Sequence, residues 1–206
     1  MTRICVATSR ARAYYVLVRR LRKAGLPFSS LMPDSDVHEC DVILTTRFEM
    51  GQFGPKAVAL EVLDDNPGVF KGQVLSSLGA GGDAIIIGID PGKRTGLAAF
   101  YGQRSLVMST FASAASACSL IGAFARCIPK SRLLVRIGNG NGAMAISLVK
   151  QVQKEAPGAM IELVDESGTS AGSSKLRGVQ RDQAAAAKIA FRKGNAVSPA
   201  PTRSYG

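Results

Sequence analysis

Apolar positions along the chain fall into short blocks, some continuous and some at helical spacing, which predict alternating strands and helices. The first block, Ile4–Ala7, reads as a strand. A helical pattern runs from Arg10 to Ala24, with Tyr14, Val18 and Leu21 near one face and Arg19, Arg20, Arg22 and Lys23 crowding its end, and Gly25 stops it. Residues 41–45 and 57–62 are further strand candidates, and a weak helix follows Asn66-Pro67. Residues 1–82 thus predict a small α/β domain. The cluster Leu78-Gly79-Ala80-Gly81-Gly82-Asp83 has the composition of a flexible joint.

Beyond the joint, residues 84–89 form a continuous apolar run that reads as a strand buried on both faces. The turn Asp90-Pro91-Gly92 leads to strands at 96–101 and 105–109, a meander with tight glycine turns. A helix over about 112–127, a strand at 132–137, a Gly/Asn loop, a helix over about 143–155 and a strand at 160–164 follow. The last helix is expected over 183–193, after a long polar loop, and residues 194–206 read as a basic C-terminal tail. The order of elements in 83–206 is βββαβαβα, a mixed-sheet α/β domain.

Composition narrows the class. With 206 residues, 46% hydrophobic and 20% charged, the chain is neither disordered nor fibrous. The longest uncharged stretch, 105–125, is studded with Ser and Ala and reads as strand plus helix, not a membrane span. The N-terminus lacks a signal-peptide pattern, so a cytoplasmic protein is expected. Cys5, Cys40, Cys118 and Cys127 form no CxxC pair and His38 is the single histidine; zinc is not expected, and neither are disulfides. Cys118 and Cys127, nine apart on a predicted helix, read as small buried hydrophobes. The net charge of +11 points to a polyanion. It is uneven: residues 1–82 carry 10 basic and 8 acidic residues, residues 83–206 carry 16 and 7.

The meander followed by alternation brings the end of the first strand of the second region and the loops after its fourth and fifth strands to one sheet edge. Asp90, Asp165, Glu166 and Asp182 all fall there or at the start of the last helix. Each alone reads as a turn, loop or helix-cap residue; together, in basic surroundings, they point to a site for Mg²⁺ or Mn²⁺, since a cation relieves the repulsion of clustered carboxylates. Such a site suits phosphodiester hydrolysis without a His or Ser nucleophile. Lys93 and Arg94, in the hairpin after Asp90, are placed to hold a flanking phosphate. The loop with Asn139 and Asn141 precedes a helix and offers backbone amides to another. The Ser/Gly-rich stretch 167–181, with Lys175, Arg177 and Arg181, suits ordering on a substrate strand and is expected to be mobile without it.

The stretch Ile87-Gly88-Ile89-Asp90-Pro91-Gly92-Lys93-Arg94-Thr95-Gly96-Leu97-Ala98 resembles the first-strand signature of RuvC-type Holliday-junction resolvases, within the ribonuclease H-like superfamily. Val164-Asp165-Glu166-Ser167-Gly168-Thr169-Ser170 is similar to the acid-plus-Thr-Ser segment of related small bacterial resolvase-like proteins implicated in ribosomal-RNA precursor processing. Arg181-Asp182-Gln183-Ala184-Ala185-Ala186 resembles the Asp-x-x-Ala-Ala segment opening the last helix of both groups. The resemblance covers about residues 85–193 and not residues 1–82. It implies a ribonuclease H-like fold and a Mg²⁺- or Mn²⁺-dependent structure-selective endonuclease acting on branched DNA, as in recombination, or on structured RNA. Asp90, Glu166 and Asp182 would be catalytic metal ligands and Asp165 an auxiliary. The chain departs from junction resolvases after the fourth strand, where Ile137-Gly138-Asn139-Gly140-Asn141-Gly142 holds no carboxylate, so a nucleic-acid-binding protein that kept the fold and lost catalysis is the alternative. Actin-type ATPases use a similar hairpin but need two fold copies, and residues 1–82 show no second one. Whether two copies pair is open at this point.

Overall fold

The computed structural model describes residues 3–32, 34–79, 84–129, 131–165 and 178–197. The chain divides into two compact units, Met1–Asp83 and Ala84–Gly206. Among the described residues no helix is long and apolar enough to cross a membrane.

The first unit is a four-stranded, wholly parallel sheet of order β2-β1-β3-β4, with β1 Ile4–Ala7, β2 Ser29–Leu31, β3 Val42–Thr45 and β4 Ala57–Ala59. The two central strands, β1 and β3, are buried at every position, as a parallel sheet covered on both faces requires. Helix α1, Ala11–Ala24, follows β1 and ends at Gly25, whose φ of 65° is the left-handed cap that glycine adopts without strain. Its buried stripe is Ala13, Leu17, Leu21 and Ala24, rotated from the expected Tyr14–Val18–Leu21 face. Tyr14 instead stands part-exposed and hydrogen-bonds Ser30 at 2.8 Å. Helix α2, Pro67–Ser77, is buried on several sides, and the Asn66 side chain accepts from the amides of Gly68 and Val69. The 57–62 strand candidate is only half strand, because residues 60–62 turn into a 3₁₀ helix. Strand β2 was not foreseen: Ser-Ser-Leu lacks a β pattern and pairs at the sheet edge through its backbone.

Cys5 and Cys40 form a disulfide, Cα–Cα 5.9 Å, contrary to the expectation of free thiols. Spacing along the chain hides their proximity: Cys40 enters β3 just as β3 pairs with β1, and both sulfurs lie in a cluster with Ala7, Ile43 and Phe53. The other two cysteines are free, Cys118 buried and Cys127 half-buried. Burial, helped by Glu155, pushes the Cys118 thiol up to about 11, as befits an inert core residue.

The second unit is a six-stranded mixed sheet of order β10-β9-β8-β5-β6-β7. Strands β5 Ala84–Asp90, β6 Thr95–Tyr101 and β7 Arg104–Phe111 form the antiparallel meander. Strands β8 Arg132–Gly138 and β9 Met160–Val164 extend it in parallel from β5. Helices α3 Ala114–Cys127 and α4 Gly142–Glu155 pack on each other, each capped by a side chain, Ser113 and Asn141 respectively. Helix α5, Val179–Ala190, starts four residues earlier than expected and crosses the face of β5 and β6. Residues 195–196 are not tail but the short strand β10, antiparallel to β9, and Val197 donates to the Ile161 carbonyl.

Alternation explains how close α5 comes. Ile86, Gly88 and Asp90 share a face of β5, and their partners Phe100, Ala98 and Gly96 share it on β6. Ala98, Phe100, Ala186 and Ala190 form one buried cluster on that face. A Cβ at Gly88 would stand 2.0 Å from the Ala186 carbonyl oxygen, so only glycine lets the helix lie there.

Candidate functional site

Asp90 closes β5, half-buried, and is the register partner of Gly96 across the hairpin. Asp182 lies in the first turn of α5. A Cβ at Gly96 would meet the Asp182 carbonyl oxygen at 2.4 Å and its Cβ at 3.3 Å. Antiparallel partners stand about 5 Å apart between Cα atoms, so Asp182 sits directly over the residue beside Asp90. Two acids 92 positions apart in the chain are thus brought together, and the missing side chain at 96 is what admits the second.

Two groups hold α5 in that position. The alanine-rich stripe seats it on the sheet, and at its other end Arg136 of β8 reaches up between strand and helix. The Arg136 guanidinium donates to the Ala190 carbonyl at 2.7 Å and to Glu162 of β9 at 2.8 Å, and Glu162 also accepts the Gly194 amide at 3.1 Å. Burial alone would raise the Glu162 carboxyl, but the hydrogen bonds from Arg136 and Gly194, with the charges of Arg136 and Lys193, outweigh it and lower the pKa. Arg136 and Glu162 were not singled out from the sequence. The available signal was a pair of opposite charges placed inward on neighbouring strands otherwise built for burial.

The other sequence-predicted residues divide. Lys93 and Arg94 are exposed in the turn directly after Asp90, and Arg181 is exposed next to Asp182, so three cations share this end of the unit. Asp165 follows β9, but β9 is separated from β5 by β8, about two strand spacings or ~10 Å from Asp90. Its carbonyl accepts from Arg192 at 2.7 Å. Asn141 uses its side chain to cap α4, accepting the Met144 amide at 3.2 Å. Asn139 is exposed and gives its amide to the Val164 carbonyl at 2.9 Å. Glu166, Lys175 and Arg177, with most of the 167–181 stretch expected to be mobile, lie outside the described residues. Among the described residues no three His, Cys, Asp or Glu side chains group closely enough to hold a metal ion.

At the corresponding end of the first unit, another acid is fully engaged. Glu49 is buried, and its carboxylate accepts from the hydroxyls of Thr8 (2.5 Å), Ser9 (2.7 Å) and Thr46 (2.6 Å) and from the Ser9 amide (2.8 Å). Burial would raise its pKa, but these donors prevail and hold it at about 2. It ties the ends of β1 and β3 together as an anion at neutral pH.

Comparison of the chain with protein families, curated proteins and solved structures finds no match.

Proposed function

We propose that the second unit is a divalent-metal-dependent, structure-selective endonuclease of ribonuclease H-like, RuvC-like type, acting on branched DNA or structured RNA. The observation that carries this reading is the seating of Asp182 on Gly96, the cross-strand partner of Asp90. An antiparallel meander continued by two parallel strands, with a helix laid across it, supports the fold assignment.

The residues fit a hard cation. Two oxygen-donor side chains are carried to one sheet end, and a divalent cation between them would offset the repulsion of like charges. Asp90 and Asp182 would hold Mg²⁺ or Mn²⁺, with Glu166 joining them as the family resemblance implies. Bound there, the ion would supply a water of lowered pKa and charge for the departing oxygen. Lys93, Arg94 and Arg181 hold the backbone phosphates on either side, and Asp165, set apart, orders the rim. These contacts read backbone and shape, not base sequence.

The test is Mg²⁺-dependent cleavage of four-way-junction DNA and of structured RNA by the wild type and by Asp90→Asn. Cutting should fall at least 100-fold in the variant, with junction or RNA binding in EDTA retained. One observation favours the alternative of a binder without catalysis: β8 ends in Gly138-Asn139, with no carboxylate. Equal cutting by both proteins would remove the catalytic assignment, and no cutting by either, alongside tight salt-sensitive binding, would select the binder.

A further inference from the structure

In the first unit the sheet order reverses between β1 and β3, the place where parallel sheets receive ligands beyond their carboxyl ends. A cleft of about 440 Å³ lies there, lined by Arg10, Arg12, Val16, Thr46, Leu60 and Glu61. Among the described residues Arg10, Arg12, Arg19, Arg22 and Lys23 form no ion pair, although the Glu61 carboxylate shares the cleft with Arg10 and Arg12. Glu61 accepts the Arg47 amide at 3.0 Å. Arg12, Tyr15, Val16, Arg19 and Lys23 recur at helical spacing and so form one stripe along α1. The stripe runs about 16 Å, from the cleft to a second hollow of about 390 Å³ lined by Arg19, Arg20, Lys23 and Asp65. There Arg20 engages Asp65, which leaves Arg19 and Lys23 open. Aromatic rings are interleaved with the cations. Phe48, 77% exposed, lies under the Arg10 guanidinium at 4.6 Å, and Tyr15, 64% exposed, lies under that of Arg19 at 5.9 Å. Exposed rings this large serve no core.

We infer that α1 and the cleft at its start form a track for single-stranded nucleic acid. Arg10, Arg12, Arg19 and Lys23 pair with successive phosphates, and bases stack on Phe48 and Tyr15 or between ring and guanidinium. Two cation-and-ring stations along a stripe several nucleotides long fit a strand better than a free nucleotide. The inference concerns the first unit and stands whether or not the second unit cuts.

The test uses the full chain in EDTA and a fluorescein-labelled twelve-nucleotide oligouridylate, followed by anisotropy across salt concentrations. Arg12→Gln with Arg19→Gln should weaken binding about tenfold or more and reduce the salt slope by about 1.4, the value for two contacts on a single strand. Phe48→Ala with Tyr15→Ala should weaken it about tenfold with the slope unchanged. The charge-matched control Arg104→Gln with Lys150→Gln, both exposed in the second unit, should change it less than twofold. Circular dichroism checks that each variant melts as the wild type does. Equal losses from the Arg12/Arg19 pair and the control pair, or no loss from the aromatic pair, would overturn the track.

Discussion

Glu49 is a single side chain that holds the ends of two central strands together. Four short hydrogen bonds and a longer one from Thr45, all at the ends of β1 and β3, converge on one buried carboxylate, and the resulting pKa of about 2 lies below the ordinary 4.5. Because the folded value is depressed, the stabilisation is complete above the unfolded pKa and is lost as pH falls from about 4.5 through 2. Glu49→Gln keeps the shape but leaves hydroxyls facing an amide, which should cost about 2 kcal/mol at pH 7. Denaturant midpoints of the two proteins, compared at pH 7 and at pH 2.5, should show that gap shrinking with acidity. A gap equally large at both would mean that charge plays no part in tying the strand ends.

At the level of elements, α5 and the hairpin β5–β6 act as one device, since the helix delivers Asp182 only as far as the glycine face allows. Gly96→Ala places a methyl 2.4 Å from the Asp182 carbonyl oxygen, which cannot yield without moving the first turn of the helix. We expect about 2 kcal/mol of destabilisation and, measured well below the melting temperature, a loss of the proposed Mg²⁺-dependent cleavage far beyond the unfolded fraction. Full activity in a folded Gly96→Ala protein would separate the two acids functionally. The same elements show what the amino-acid order could and could not reveal. Asp90 and Asp182 could be picked out because each sits at the terminus of an element whose pattern is plain, a run of isoleucines and an alanine-rich helix. The beginning of α5 was set too late because Val179-Gln180-Arg181 reads as polar loop until the sheet beneath is known. The α1 face was misjudged because Ala13 and Leu17 bury fully, whereas Tyr14, larger but amphipathic, turns its hydroxyl to Ser30. The Arg136–Glu162 clamp depends on strand neighbours 26 residues apart, a pairing that no local pattern encodes.

For the molecule as a whole, the two units are built on different terms. The second carries most of the positive charge and seats its last helix on small residues; the first is nearly balanced and adds a covalent link. The Cys5–Cys40 bond joins β1 to the segment that leads into β3, across 35 residues. On the chain-entropy account, a loop of that length removes enough freedom from the unfolded chain to stabilise the fold by about 4 kcal/mol. That benefit belongs to the first unit alone, because no cysteine bridge is found in the described part of the second. Both bridged residues are buried, 0% and 2% exposed, so a reductant gains access only when the unit opens. Hydrogen exchange read by mass spectrometry, with and without a phosphine reductant applied under mild denaturant, should therefore show protection falling across peptides in 4–32 and 34–77 while peptides in 84–129, 131–165 and 178–197 keep theirs. Protection lost equally in both stretches would make the chain one cooperative body, and unchanged protection in 4–77 would mean that the bridge adds nothing to a sheet already secured by its own core.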